Sequence, residues 1–440
     1  MEKLTLSEIA QFTNGKQSGN IMISNVSIDS RNMKEDCLFI GIKGENFDGN
    51  DYLEDAILKG AKAVLTTKEI YSIPNIKVED TGKAFLDMAK GYKERIIGLK
   101  TVGITGSVGK TTTKEMLHSI LSEVDSTHKT DGNFNNHIGV PLTLLNLTKS
   151  HKYAVVEMGM SGKGEIELLS KAVCPDIGVI TNIGESHIEH LGSKEEIAKA
   201  KLEILKGLKG TIVLNGNEPL LRDLDIENEI IYFGIEGDDL DVSCKDIRQY
   251  AKYTKFVAVG KDFEIEIKIN TFGRHNVANA LGAITVAKLL GATDEQVQAG
   301  LYAFQNTGMR QNIFDYDGYT VIEDCYNASP DSMKAALSVL NKTKSNKKIA
   351  VLGAMAELGD FSYNAHKEIL QIARESADIV YLVGDAWRKV ELQNAEVFEN
   401  RQVLTLKLKQ NVKEGDAVLF KGSRAEKMEE VLKMLVNEEK

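Results

Sequence analysis

One short segment limits what this chain can fold into more than any other. Thr105-Gly106-Ser107-Val108-Gly109-Lys110-Thr111-Thr112 follows the apolar run at 101–104. It precedes a stretch, 112–124, with apolar residues at Met116, Leu117, Ile120, Leu121 and Val124. A strand, a glycine-rich turn and an amphipathic helix in that order make a phosphate-binding loop, because glycines let the backbone curl until its N–H groups converge on phosphate oxygens at a helix N-terminus. Lys110 would reach the β- and γ-phosphates, and the Thr111 hydroxyl would bind Mg²⁺. The strict G-x-x-x-x-G-K-[ST] pattern asks for glycine where this chain has Ile104. The alternative is a glycine-rich strand–helix turn with no ligand. Kinases, motors, GTPases and ligases share such loops, so the loop names a nucleotide and not a reaction.

The rest of the chain places this loop inside an α/β protein. With 440 residues, about three domains of roughly 150 residues each are expected. The first ~95 residues mix short strands (37–42, 61–67) with a helix near 52–59 and read as a small α/β module. From residue 100, strand-like runs (YAVVEM, IGVITNI, TIVLN) alternate with helical stretches such as 193–208, the sign of a largely parallel sheet. A strand-rich stretch at 256–269 leads to a helix that begins near Asn276 and stops at Gly291, read as its C′ glycine. A third block from Gly308 repeats the alternation with YTVIED, KKIAVLG, DIVYLVG and DAVLFKG. In it, Ser329-Pro330-Asp331 puts a capping hydroxyl, an N1 proline and a first-turn carboxylate in helix-starting order.

Composition removes whole classes of function. Lys+Arg 54 against Asp+Glu 64 leaves a net charge of −10, which argues against nucleic acid or an anionic membrane as the main partner. Apolar residues at 42% are too many for a disordered chain. Cys37, Cys174, Cys244 and Cys325 lie far apart with no C-x-x-C pair, so neither a disulfide framework nor a zinc site is expected. No signal-peptide core or membrane-length apolar run is present, and a cytoplasmic protein is the expectation.

Three residues beyond the loop could carry chemistry. Glu157 directly follows an apolar run, at the strand end where ligands sit in open parallel sheets, and would suit Mg²⁺ or its waters. A lone glutamate after a strand is equally well plain loop chemistry. His187 occupies the equivalent place in Asn182-Ile183-Gly184-Glu185-Ser186-His187, but Mg²⁺ prefers oxygen, and a solvated loop histidine is the simpler reading. Ser193-Lys194-Glu195-Glu196 reads as a capping box opening a helix with Ile197, Ala200, Ile204, Leu205 and Leu208 on one stripe. Lys201 falls on that stripe. Burial would lower its pKa, and a neutral amine can add CO₂ to form a carbamate. On the residues alone, snorkelling of the ammonium into water is favoured.

Taken together, the motifs resemble a known family. T-G-S-V-G-K-T-T-T-K-E (105–115), N-F-N-N-H-I-G-V-P-L-T-L-L (133–145), V-V-E-M-G (155–159), I-T-N-I-G-E-S-H (180–187), A-K-A-K-L-E-I-L (198–205) and G-R-H-N-V-A-N-A-L (273–281) are similar to those of the Mur ligases. These are ATP-dependent amide-bond-forming ligases of peptidoglycan precursor synthesis. The shortened loop with Ile104 is that family's own form. D-C-Y-N-A-S-P-D-S-M (324–333), L-G-A-M-A-E-L-G (352–359) with His366 downstream, and K-G-S-R (421–424) resemble the branch that adds D-alanyl-D-alanine to UDP-N-acetylmuramoyl-tripeptide.

The resemblance covers essentially the whole chain and implies a three-domain α/β fold. Residues 1–97 would form a small UDP-sugar-binding module, 98–307 a central P-loop ATPase domain with a parallel sheet, and 308–440 a Rossmann-like domain that binds the dipeptide and closes over ATP. ATP would contact Thr105, Gly106, Ser107, Val108, Gly109, Lys110, Thr111 and Thr112, with Asn276 at adenine, Asp324 at ribose and Arg310 facing phosphate. Mg²⁺ would be held by Thr111, Glu157, His187 and a carbamylated Lys201; Lys110, Glu157, His187 and Lys201 would be catalytic. Ser30 and Arg31 of D-S-R (29–31), near K-G-E-N-F-D-G (43–49), would contact the UDP substrate. Asn135, Asn136, Tyr326 and Asn327 would contact substrate as well. A monomer is expected, and nothing in the sequence names a protein partner. Two rivals stay open: another ligase of the superfamily (the third-residue-adding enzyme or a folylpolyglutamate synthetase), and a non-ligase P-loop nucleotide switch.

Overall fold

Strands that carry apolar side chains on both faces need cover on both faces, and that requirement organises the chain. The computed structural model describes residues 1–436 except 45, 71, 251–252 and 392–394. Glu45, in the K-G-E-N-F-D-G segment, therefore lies outside the described residues. Besides a two-stranded pairing of Leu4–Thr5 with Met22–Ile23, three larger sheets follow one another along the described residues. The first has five strands in the spatial order Lys16–Ser18, Asn75–Lys77, Ala63–Thr66, Cys37–Ile40, Asn25–Ser27. Helix Thr81–Glu94 closes this part and reaches into the next. Its buried Lys93 donates to the carbonyls of Val173 and Cys174, where helix Glu165–Val173 runs out of backbone donors.

The middle sheet has nine strands. Thr127–Lys129, Tyr153–Glu157, Lys100–Thr105, Ile177–Ile180, Thr211–Asn215 and Ile230–Phe233 are parallel neighbours. Val242–Gln249 continues the sheet, and Thr254–Gly260 and Phe263–Ile269 finish it as antiparallel strands. Alternate residues of one strand feed opposite cores: Val155 packs with Met116, Leu117, Ile120, Leu281 and Ile284, while Ala154 and Val156 pack with Leu144, Ile166 and Ile204. Register brings three strand ends level. Glu157 pairs with Ile104 and Ile180 with Thr105, so the phosphate loop, Glu157 and the Thr181–His187 loop leave the sheet side by side.

The third sheet runs Asn312–Tyr316, Tyr319–Asp324, Ala417–Lys421, Lys348–Gly353, Ile379–Val383, Glu396–Phe398; all pairs are parallel except the first hairpin. Helix Pro330–Lys342 follows the second strand.

Several local expectations change. The loop helix spans Lys110–Ser122, two residues earlier than its apolar pattern suggests, because its polar first turn belongs to the loop. The stretch 193–208 is not one helix: Lys194–Leu202 tightens into a 3₁₀ turn over Glu203–Lys206. Ser193 caps it by accepting from the Glu196 N–H, but the box is only half made, since the Glu196 carboxylate turns outward to Lys163 and Lys199. Strands Thr127–Lys129, Val242–Gln249 and Asn312–Tyr316 escape sequence reading because their half-exposed, polar residues lack a clean apolar alternation.

Candidate active site

The phosphate loop is built by close packing as much as by flexibility. Gly106 has φ 152° and Gly109 φ 83°. A Cβ at Gly106 would lie 1.9 Å from Thr181 Oγ1, and one at Gly109 would lie 2.3 Å from Asn279 Oδ1. The neighbouring strand-end loop buttresses it. Thr181 Oγ1 donates to Val108 O at 2.6 Å, Val108 N–H donates to Asn182 Oδ1 at 2.9 Å, Ser107 N–H to Asn182 O at 3.1 Å, and Gly184 N–H to Ser107 Oγ at 2.8 Å. The amides of Ser107 and Val108 are thus already occupied. The first amides of the helix, from Lys110 on, have no intrahelical acceptor and are the ones left to meet phosphate. Lys110 Nζ folds over the loop to Gly106 O at 2.7 Å and Ser107 O at 3.3 Å. Burial holds its amine below the usual lysine range; Glu157 opposes this and Arg310 adds to it.

A cavity of about 710 Å³ opens over this loop, between the middle and third sheets. Its middle-sheet wall holds residues 107–112, Asn135, Asn136, Glu157, His187 and Asn276; its third-sheet wall holds Arg310, Asp324, Tyr326, Asn327 and Lys421. Most of the sequence-derived site residues therefore meet in one place. Arg310 lies over the Tyr326 ring at 3.8 Å from its centroid. Asp324 accepts from Lys421 Nζ at 2.6 Å, and Lys421 also donates to Asn327 O at 3.1 Å. Asn276 is buried, and its amide donates to Thr271 Oγ1 at 3.0 Å and Phe272 O at 2.7 Å. Asn136 Oδ1 accepts from Ile138 and Gly139 N–H, at the start of helix Gly139–Leu145.

Glu157 is buried, with one oxygen accepting from Asn135 Nδ2 at 2.8 Å and the other, Oε2, lacking any hydrogen bond. His187 adopts φ 63° and turns Nδ1 against the Glu357 carboxylate of the third-sheet unit, which this contact holds below the usual glutamate range. Lys201 does not snorkel. It is 1% exposed, has no hydrogen-bond or ion-pair partner among the described residues, and lies outside the cavity lining. Burial, reinforced by Lys110, holds its amine well below the lysine range. Among the described residues no group of three His, Cys, Asp or Glu side chains could hold a metal. The donors present fit Mg²⁺ nonetheless, because that ion usually takes one or two protein oxygens and completes its octahedron with phosphates and water. The orphaned Glu157 oxygen is such a donor.

Thr105 and Gly106, like Lys201, lie outside the cavity lining, and two expected residues lie in another unit altogether. Ser30 Oγ donates to Asp55 Oδ2 at 2.6 Å and exposed Arg31 pairs with Asp29 at 2.9 Å, both in the first sheet's unit and neither lining the cavity. Conversely, sequence reasoning assigned no site role to Thr181, Asn182, Lys421 or Asp331. The K-G-S-R motif was the only signal for Lys421. Asp331 lies in the first turn of helix Pro330–Lys342 and accepts from Glu185 N–H at 3.3 Å across the cavity.

A phosphate loop facing the third α/β unit across a shared cavity is the arrangement of a nucleotide-binding protein in which that unit completes the site. Comparison with known proteins is specific. The Mur ligase family, catalytic domain, matches residues 22–90, the Mur ligase middle domain 104–287, and the "Mur ligase, glutamate ligase domain" 309–424. The chain belongs to the Mur ligase family. It is 40% identical to UDP-N-acetylmuramoyl-tripeptide–D-alanyl-D-alanine ligase of Bacillus subtilis (strain 168), over 99% of both chains. In structure it is similar to MurF from Acinetobacter baumannii (TM-score 0.93, 30% identity, 100% of both chains). It is also similar to MurF ligase from Thermotoga maritima in complex with ADP (TM-score 0.87, 30% identity, 94% of this chain and 97% of that one).

Proposed function

We propose that this chain joins D-alanyl-D-alanine to UDP-N-acetylmuramoyl-tripeptide, with ATP converted to ADP and phosphate, in peptidoglycan precursor synthesis. The observation that carries the reading is the shared cavity: loop, Lys110 and Glu157 on one wall, Arg310 and the Asp324–Lys421 pair on the other. The tripeptide carboxylate attacks the γ-phosphorus, the bond to the β–γ bridging oxygen breaks, and an acyl phosphate and ADP result. The dipeptide amine, having lost a proton, then attacks the acyl carbon, and the C–O bond to phosphate breaks.

The first step brings anion against anion, so positioning and fixed positive charge carry most of the catalysis. Lys110, the helix N-terminus and Arg310 supply that charge from this chain. Thr111, Glu157 and His187 would hold Mg²⁺, which neutralises phosphate charge when bound. A carbamate on Lys201 fits its buried, unpartnered amine, since burial favours the neutral amine that can add CO₂, and the modified side chain would supply an anionic group for Mg²⁺. Asn276 would face adenine and Asp324 the ribose. The unit around Ser30 and Arg31 (1–97) would hold the UDP substrate, 98–307 ATP, and 308–440 the dipeptide; residues from both cavity walls exclude water, which would otherwise hydrolyse the acyl phosphate.

Phosphate release with UDP-N-acetylmuramoyl-tripeptide, with and without D-alanyl-D-alanine, tests this. Release that requires both is expected. Release indifferent to the dipeptide, or driven by a different amino acid, would overturn the substrate assignment.

A further inference from the structure

Two side chains meet Glu157: Asn135, which also lines the cavity, and Lys114, which does not. Lys114 lies on the loop helix and is 0% exposed. An ammonium buried that deeply must find acceptors. Its Nζ donates to Thr130 O at 2.7 Å, meets Glu115 at 3.1 Å, and stands 3.7 Å from Glu157 Oε2. From the other side Asn135 Nδ2 donates to Glu157 Oε1 at 2.8 Å. The backbone of both segments is stitched together: Glu157 N–H donates to Thr130 Oγ1 at 2.9 Å, and Gly159 N–H to Asn135 O at 2.8 Å. A Cβ at Gly159 would lie 2.8 Å from Asn135 Oδ1, so the approach is tight.

The two carboxylate oxygens are therefore treated differently. Oε1 is pinned by a neutral amide. Oε2 is buried, has no hydrogen bond, and faces a cation beyond hydrogen-bond reach. Simple charge balance for Glu115 does not explain Lys114, because Glu115 already pairs with Lys129. The shortest bond of Lys114 goes to the segment that also carries Asn135.

We propose that Lys114 and Asn135 form a clamp that orients Glu157 toward the metal and ties that carboxylate to the phosphate-loop helix, so that both respond to nucleotide as one unit. Both are positioning residues, and the inference rests on the reading of Glu157 as the metal-facing carboxylate. Outer partners that orient metal-binding groups are commonly worth about ten- to a hundredfold in metal affinity.

Binding of a fluorescent ADP analogue to the full chain, titrated with Mg²⁺ in the absence of both other substrates, reads this directly. Asn135→Ala and Lys114→Met are expected to raise the Mg²⁺ needed for half-maximal binding by about tenfold or more, while binding in EDTA stays as in the parent. Should Lys114→Met fail to fold, Asn135→Ala decides alone. An unchanged Mg²⁺ requirement in Asn135→Ala overturns the clamp. So does a lowered requirement in Lys114→Met, which relief of cation–cation repulsion would give. If Glu157→Gln itself leaves the Mg²⁺ requirement unchanged, the metal-facing reading of Glu157 falls and the clamp with it.

Discussion

The two walls of the cavity are made of different material. Where it faces phosphate, the middle-sheet wall is a backbone frame with a few side chains such as Lys110 and Glu157 set into it: a curled loop whose glycines admit no Cβ, with Ser107 and Val108 amides already bonded to Asn182. The third-sheet wall is side chain: a guanidinium on a ring, and an aspartate on a buried lysine. Backbone walls are set by the fold and tolerate little substitution. Side-chain walls can be retuned residue by residue, which suits the unit that must match a particular amino-acid substrate.

If that contrast is right, the largest loss comes from the first wall. Lys110→Ala should lower turnover by about a hundred- to a thousandfold with an unchanged melting temperature, since Lys110 bonds only the loop it covers; near-parent phosphate release would break the P-loop assignment. Lys201→Ala should cost about a hundredfold, and added acetate or formate should restore part of it by refilling an anionic position. Full activity in the alanine variant, with no response to acid, would remove the carbamate.

On the second wall, Lys421→Met leaves Asp324 facing a buried, uncharged neighbour. It should destabilise the protein by about 2 kcal/mol, less than the ~3–5 of a fully buried pair because Asp324 keeps some water, and raise the KM for ATP; chemical denaturation and initial rates check both. The smallest effect on the nucleotide belongs to the first sheet. Ser30→Ala with Arg31→Ala should raise the KM for the UDP substrate about tenfold and leave ATP affinity untouched. A parallel loss of ATP affinity would contradict separate sites.

Much of the first wall was legible in the sequence, because local rules suffice for it. A strand, two glycines and a helix stripe specify the loop, and an apolar run ending in Glu157 places that carboxylate at the ligand edge of a sheet. The inward position of Lys201 was legible too, but its burial was not: a lysine on a stripe can snorkel unless the stripe is sealed at both ends, and only the packing against its neighbours shows that it is. What stayed hidden depends on contacts between distant segments. Lys114 and Glu115 look like a solvated pair on a helix, yet their partners come from Thr130, Lys129 and Glu157. The pairing of His187 with Glu357 joins two units, and no spacing in the chain announces it.

Gly184 has an ordinary backbone conformation, yet a Cβ there would stand 2.1 Å from Asp331 Oδ2 and 3.3 Å from Ser107 Cβ. Alanine at 184 would act through contact alone: the Asp331 carboxylate, the end of a flexible side chain, would have to swing aside and give up the Glu185 N–H. Glycine at this position is thus what lets a side chain of the third unit latch onto the backbone beside the phosphate loop, and a single methyl group would undo the latch without removing any hydrogen-bonding group.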